Sequence, residues 1–205
     1  MQAVSQYQYD VDAVAACLLQ GGVVVIPTDT VYGIAALPSH QGAVDRLYLL
    51  KHRPRTKPLP VMVAASADLV SMGVELSPSA MRLLDSVYVP GPLTLAFGFV
   101  DGPRVAWLAG REEVAVRIPN DERLLAVIRK TGPLFVTSAN AHGVATGEAL
   151  TQVLPQLEGI PDLAIDGGIL GTVASTLVNC RKDPPVIERE GVVSRAEIMA
   201  LVDSV

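Results

Sequence analysis

The seven residues Lys51-His52-Arg53-Pro54-Arg55-Thr56-Lys57 hold four of the chain's 16 Lys and Arg, and no acid lies between Asp45 and Asp68. Arginine offers a planar fork of donors matched to phosphate oxygens, lysine a compact charge on a long stem, and proline holds a loop in shape. The run therefore suits a polyanion, although cations at the exit of a helix also serve simply to offset the negative end of its dipole. Arg117, in Val114-Ala115-Val116-Arg117-Ile118-Pro119, is the second candidate. In a strand it shares a face with the small Ala115, so its guanidinium either faces solvent from an edge or grips a carboxylate bidentately. Two hydroxyl-rich stretches, Pro27-Thr28-Asp29-Thr30-Val31-Tyr32-Gly33 and Val136-Thr137-Ser138-Ala139-Asn140, each leave a strand, where open α/β sheets bind ligands. Ordinary turn chemistry uses the same residue types.

Other chemistries lack their residues. The chain has no G-x-x-x-x-G-K-[ST] loop, G-x-G-x-x-G, H-E-x-x-H or G-x-S-x-G, and its three histidines, His40, His52 and His142, are far apart. Neither a phosphate cradle of the common glycine types, nor a structural metal site, nor a serine-hydrolase triad is expected. Cys17 and Cys180 lie in apolar surroundings without C-x-x-C spacing, so both are expected to be buried and inert.

These residues need a frame. Asp10 caps a helix through Val14, Leu18 and Leu19 that Gly21-Gly22 ends, and a buried strand follows at Val23 to Ile26. Ser39 precedes a helix with Val44, Leu47 and Leu50 on one side, stopped by Pro54. Leu59 to Ala64 reads as a strand, Ser66 opens a short helix, and Ser77-Pro78 opens another through Met81, Leu84 and Val87. Further strands are expected at Leu93 to Phe99, Val114 to Ile118, Leu134 to Thr137, Leu163 to Ile165, Ser175 to Val178 and Val186 to Glu188. Asn120 starts a helix ended by Gly132-Pro133, and a capping box, Ser194 with Glu197, opens the last one. The alternation predicts an α/β domain, a mixed sheet with helices packed on it, as one unit over residues 1–205.

Half of the 205 residues are hydrophobic and 18% are charged, with a net charge of -5. A disordered chain would carry less apolar mass, and a protein that grips nucleic acid over its whole surface would be basic. No apolar run approaches the roughly 20 residues that span a bilayer, and the first ten residues are polar, so a cytoplasmic protein without a membrane partner is expected.

Taken in order, the Pro27 to Gly33 stretch, Lys51-x-Arg53, Pro90-Gly91-Pro92-Leu93-Thr94, Ala115 to Pro119 and Ser138-x-Asn140 resemble the YrdC-like family of threonylcarbamoyl-AMP synthases over almost the whole chain. The resemblance implies a twisted mixed sheet with flanking helices around a concave basic cavity. It also implies a nucleotidyltransferase reaction: L-threonine and bicarbonate form a carbamate that attacks the α-phosphorus of ATP, giving threonylcarbamoyl-AMP and pyrophosphate. Downstream threonylcarbamoyl-transfer proteins would then modify tRNA. Such chemistry asks for positioning and charge stabilisation and no covalent nucleophile.

By resemblance, Lys51, Arg53, Ser138 and Asn140 form the catalytic set. Arg53, Lys57, Ser138, Thr146 and Arg189 bind ATP, and Thr30, Arg117 and Ser175 hold threonine. Mg²⁺ is implied on the ATP phosphates, and a weak tRNA contact is a further expectation. The chain has Lys57-Pro58-Leu59 where many relatives read Asn-Pro-Leu, Met62 where they carry histidine, and Arg189-Glu190-Gly191 where they read R-P-G. Lysine at the first position marks the short, single-domain members. Two alternatives stay open: a paralogue serving as an RNA-binding module, and one using another carbamoyl substrate. With aromatics at 4% of the chain and none inside the basic run, base stacking has little support.

Overall fold

The computed structural model describes residues 9–102 and 104–203. Helix α1, Val11–Leu19, starts where the Asp10 carboxylate accepts from the Asp12 and Ala13 N–H groups at 2.9 and 3.2 Å, satisfying two of the donors every helix start leaves free. Strands β1, Val24–Ile26, and β2, Gly33–Ala36, form an antiparallel pair buried at every position. The sequence pattern does not reveal β2, because a strand covered on both faces has no polar alternation to show. Helix α2, Gln41–Leu50, begins one residue later than expected, at His40, whose side chain makes no cap bond. The strand expected over residues 59–64 shrinks to β3, Val61–Met62, since Pro58 and Pro60 have no N–H to give a sheet.

Helices α3, Ala67–Ser71, and α4, Pro78–Leu84, follow. The extent expected for α4 is corrected: it ends at Leu84, short of Val87, buries Ser79, Ala80 and Leu83, and leaves Met81 and Val87 exposed. Its small residues bring it close to the C-terminal helix, where Arg82 donates to the Val202 carbonyl at 3.0 Å. The remaining elements are β4, Leu93–Phe97; β5, Val114–Arg117; α5, Glu122–Thr131; β6, Leu134–Ser138; α6, Leu150–Val153; β7, Leu163–Ala164; β8, Thr176–Asn179; β9, Val186–Arg189; and α7, Arg195–Val202. Asp121, not Asn120, caps α5, and the capping box of Ser194 and Glu197 opens α7.

All the strands join one mixed sheet in the order β7-β1-β2-β6-β3-β5-β4-β8-β9. One face packs a large core that includes Leu47, Val61, Leu95, Phe97, Val114, Val116 and Val178. Over part of the other face, α1 and α5 bury Val14, Leu18, Leu124, Val127 and Ile128 against Val24, Ile26 and Val136. Beyond their cover the alternate side chains of β3, β4, β5 and β8, namely Met62, Thr94, Ala115, Arg117 and Leu177, face a cavity. Cys180 is buried, and burial pushes its thiol up to about 12, whereas Cys17 is only half-buried, against expectation. Among the described residues no helix is long and apolar enough to cross a membrane.

Candidate active site

The cavity has a volume of about 640 Å³, within the usual range for small-molecule sites. It gathers residues from distant parts of the chain: Thr30 from the β1–β2 loop, Arg53 and Lys57 beyond α2, Arg117 from β5, Ser138 from β6, Ser175 before β8 and Arg189 from β9. Seven of the ten residues singled out by sequence thus share one space. Lys51, Asn140 and Thr146 are not in its lining.

Arg117, in the cavity lining, is 5% exposed. Its Nε donates to the Gly91 carbonyl at 2.9 Å, Nη1 to Thr30 Oγ1 at 2.8 Å and Nη2 to Asp29 Oδ1 at 2.8 Å. Burial pulls the guanidinium below its ordinary pKa, and the Asp29 carboxylate opposes that pull. The turn holding Thr30 is fixed by Thr28, whose Oγ1 accepts from the Thr30 and Val31 N–H groups and donates to the Val31 carbonyl. Such a threonine turn satisfies backbone groups that no strand reaches. Across from it the Ser175 and Thr94 hydroxyls lie 2.7 Å apart, and Arg189 donates to the Ser175 carbonyl at 2.8 and 3.2 Å. Gly191 permits this corner. A Cβ there would stand 2.2 Å from the Ala174 oxygen, and the Gly191 N–H donates to Thr176 Oγ1 at 2.9 Å.

Arg53 and Lys57 line the same cavity. Arg53 is half-buried and braces its own loop, donating to the Lys57 carbonyl at 3.1 Å and the Pro58 carbonyl at 2.8 Å. Burial, with Arg189 nearby, lowers its pKa. Two acids also line the cavity, and each has a partner: Glu113 with Arg181 at 2.6 Å, and Glu188 with the Asn179 amide at 2.7 Å.

Lys51 takes a different place from the one expected. It is 2% exposed, and its Nζ donates to the Ser138 carbonyl, to the Asn140 carbonyl at 2.5 Å and to Asn140 Oδ1 at 3.4 Å. The Lys51 carbonyl in turn accepts from the His142 N–H at 2.9 Å. Asn140 spends its amide on the Ala141 and Val144 carbonyls. Lys51 and Asn140 therefore fasten the loop after β6 to the end of α2, which leaves Ser138 as the member of that pair facing the cavity. Burial, then Arg53, push the Lys51 ammonium down to about 7, and a neutral amine keeps two N–H bonds for the two carbonyls.

Its removal has a readable signature. Lys51→Met leaves those carbonyls without their donor, a loss of about 1–3 kcal/mol per buried unsatisfied group, measurable by denaturant unfolding. Between pH 7 and the unfolded lysine value of 10.5 the unfolded chain binds the extra proton, so wild-type stability gains with rising pH from this group. The stability difference between wild type and Lys51→Met accordingly widens from pH 7 to 10; a difference independent of pH contradicts the assignment.

Asp29, Thr94, Glu113 and His142 were not chosen from sequence. Asp29 did carry a signal, as the sole acid between Asp12 and Asp45, beside a buried strand.

The Sua5/YciO/YrdC family model, described as telomere recombination, matches residues 16–191. The chain belongs to this family. Threonylcarbamoyl-AMP synthase of Bacillus subtilis (strain 168) is 35% identical over 193 residues, 92% of this chain and 55% of that protein. The enzyme of the same name from Xanthomonas axonopodis pv. citri is 34% identical over 164 residues, 77% of this chain and 86% of that one. The crystal structure of P. abyssi Sua5 complexed with L-threonine superposes with a TM-score of 0.84 at 30% identity, covering 95% of this chain and 58% of that one. The chain thus spans about half the length of the Bacillus and Pyrococcus family members, and the family's mixed sheet is the one found here.

Proposed function

We propose that the chain is an L-threonylcarbamoyladenylate synthase. The observation that carries this reading is a single cavity that gathers a buried guanidinium with hydroxyls beside it, Arg117 with Thr30 and Ser175, and cations suited to a polyphosphate, Arg53 and Lys57. The P. abyssi relative bound to L-threonine supports threonine at Arg117. Arg117 holds the amino-acid carboxylate through the two guanidinium N–H groups its protein partners leave free, and Thr30 and Ser175 add hydroxyls. The threonine amine attacks bicarbonate, and a proton from its nitrogen leaves with a hydroxide from the carbon as water, which leaves a carbamate. Its carboxylate then attacks the α-phosphorus of ATP, brought in as the Mg²⁺ complex, and pyrophosphate departs.

Arg53, Lys57 and Ser138 contact the phosphates, with Arg189 closing the far side. Charge that develops on the transferring phosphorus and leaving pyrophosphate is met by donors already fixed in place. Lys51 and Asn140 act as positioning residues for Ser138. Among the described residues lining the cavity none is Phe, Tyr or Trp, so the stacking platforms of a single-stranded RNA site are not what this surface offers. Transfer to tRNA falls to downstream proteins.

The test is pyrophosphate release from ATP with Mg²⁺ and bicarbonate, with and without L-threonine, using serine and carbamoyl phosphate as controls. Release that needs both threonine and bicarbonate is expected. ATP binding with no threonine-dependent release overturns the reading.

A further inference from the structure

We propose that His142 and Lys57 form a proton-linked clamp for a polyphosphate, in which the imidazole accepts from Lys57 while the site is empty and takes up a proton when a polyphosphate binds. This deepens the reading above and rests on its assignment of ATP.

The geometry defines the first state. Lys57 Nζ lies 3.3 Å from His142 Nε2, and both residues line the cavity. An ammonium has donors only, so Nε2 is the acceptor and the ring is neutral, with its proton on Nδ1. The backbone that carries the ring is fastened: the His142 N–H bonds the Lys51 carbonyl at 2.9 Å, and Gly143, at φ 83°, turns the chain immediately after it.

The surrounding charges define the second state. Burial first, then Lys57, Arg53 and Lys51, lower the ring's pKa, Lys51 contributing its charge only where it is protonated, below about pH 7. On the far walls Glu113 is paired with Arg181, Glu188 is held by Asn179, Arg189 is a further cation, and Asp29 is committed to Arg117. None of these acids is free to compensate an imidazolium. A ligand bearing several negative charges supplies what the protein withholds. Placed among Arg53, Lys57 and His142 it turns the local field, Lys57 redirects its N–H bonds to phosphate oxygens, and Nε2 becomes a third donor by binding a proton. Because proton and ligand share one linkage, tenfold tighter ATP binding to the protonated ring is tenfold tighter proton binding in the ATP complex. The same chemistry applies to product pyrophosphate, so its release becomes easier as pH rises.

The chain has three histidines, which makes the proton visible. Ring resonances of ¹³C-labelled histidine are followed from pH 5 to 8 in the free protein and with ATP, pyrophosphate or AMP, the His142 signal being identified by its loss in His142→Gln. ATP and pyrophosphate are expected to raise the His142 midpoint and AMP to leave it, while His40 and His52 serve as internal references. In parallel, calorimetric ATP binding is expected to tighten severalfold more for wild type than for His142→Gln between pH 7.5 and 5.5, which cancels the ligand's own titration. Parallel pH curves for the two proteins, with ATP bound by both, overturn the clamp and leave the ATP reading standing. An equal rise with AMP overturns its assignment to the polyphosphate. No ATP binding by the wild-type protein at any pH overturns the clamp and the reading together.

Discussion

Arg53→Ala lowers threonine-dependent pyrophosphate release by roughly a hundred- to a thousandfold, the effect of losing one preorganised donor at a reacting centre. The size follows from how the side chain is held. Two of its N–H groups brace the Lys57 and Pro58 carbonyls, so the guanidinium reaches the cavity in a fixed orientation and has no reorganisation to undergo when charge develops on the phosphates. Removing it also takes two donors from the loop that carries Lys57, which keeps the Tyr48 hydroxyl on its carbonyl. Arg53→Lys restores charge but not the fork, and recovers only part of the rate. The loss is expected in kcat as well as in the KM for ATP, since the donor acts on charge that grows in the transition state. Turnover within threefold of wild type, measured with saturating threonine and bicarbonate, removes Arg53 from the reaction.

Legibility in the sequence divided along physical lines. Elements with local signals are found where they were read: Asp10 caps α1, Ser77 caps α4, and Ser194 with Glu197 opens α7, because a cap is a relation among four neighbouring residues. β2 carried no such signal, and α4 stops at Leu84, short of the Val87 expected in it, with Ser79 and Ala80 among its buried residues. The same division holds in the cavity. Alternation along one strand sufficed to put Ala115 and Arg117 on a common face, and both line the cavity. What no local pattern carries is which partner a side chain meets. Asp29 is 88 positions from Arg117, and Lys51 reaches carbonyls of Ser138 and Asn140, backbone atoms that leave no trace in residue identity. Lys51 and Arg53, two positions apart in one short motif, consequently separate into a fastener of the neighbouring loop and a group lining the cavity.

The Arg117–Asp29 pair carries the second large effect and determines how it has to be measured. Arg117→Ala would strand the Asp29 carboxylate, 12% exposed, without its cation, and breaking a buried pair from one side costs about 3–5 kcal/mol. A fall in activity from that variant alone would confuse unfolding with lost binding. Arg117→Lys separates the two, because it keeps a charge for Asp29 while one ammonium cannot reproduce the three directions in which the guanidinium now donates, to Gly91, Thr30 and Asp29. The threonine KM of Arg117→Lys is expected to rise about ten- to a hundredfold, the range for losing a hydrogen bond to a charged group of about 1.5–3 kcal/mol. The KM for ATP should stay within about threefold, since Arg53 and Lys57 are unchanged. Asp29→Asn supplies the converse. Its amide oxygen still accepts from Arg117, so the protein folds, but the guanidinium loses the carboxylate that orients it, and the threonine KM rises while kcat changes less. An unchanged threonine KM in folded Arg117→Lys, established by its unfolding curve, would move the amino-acid carboxylate elsewhere in the cavity.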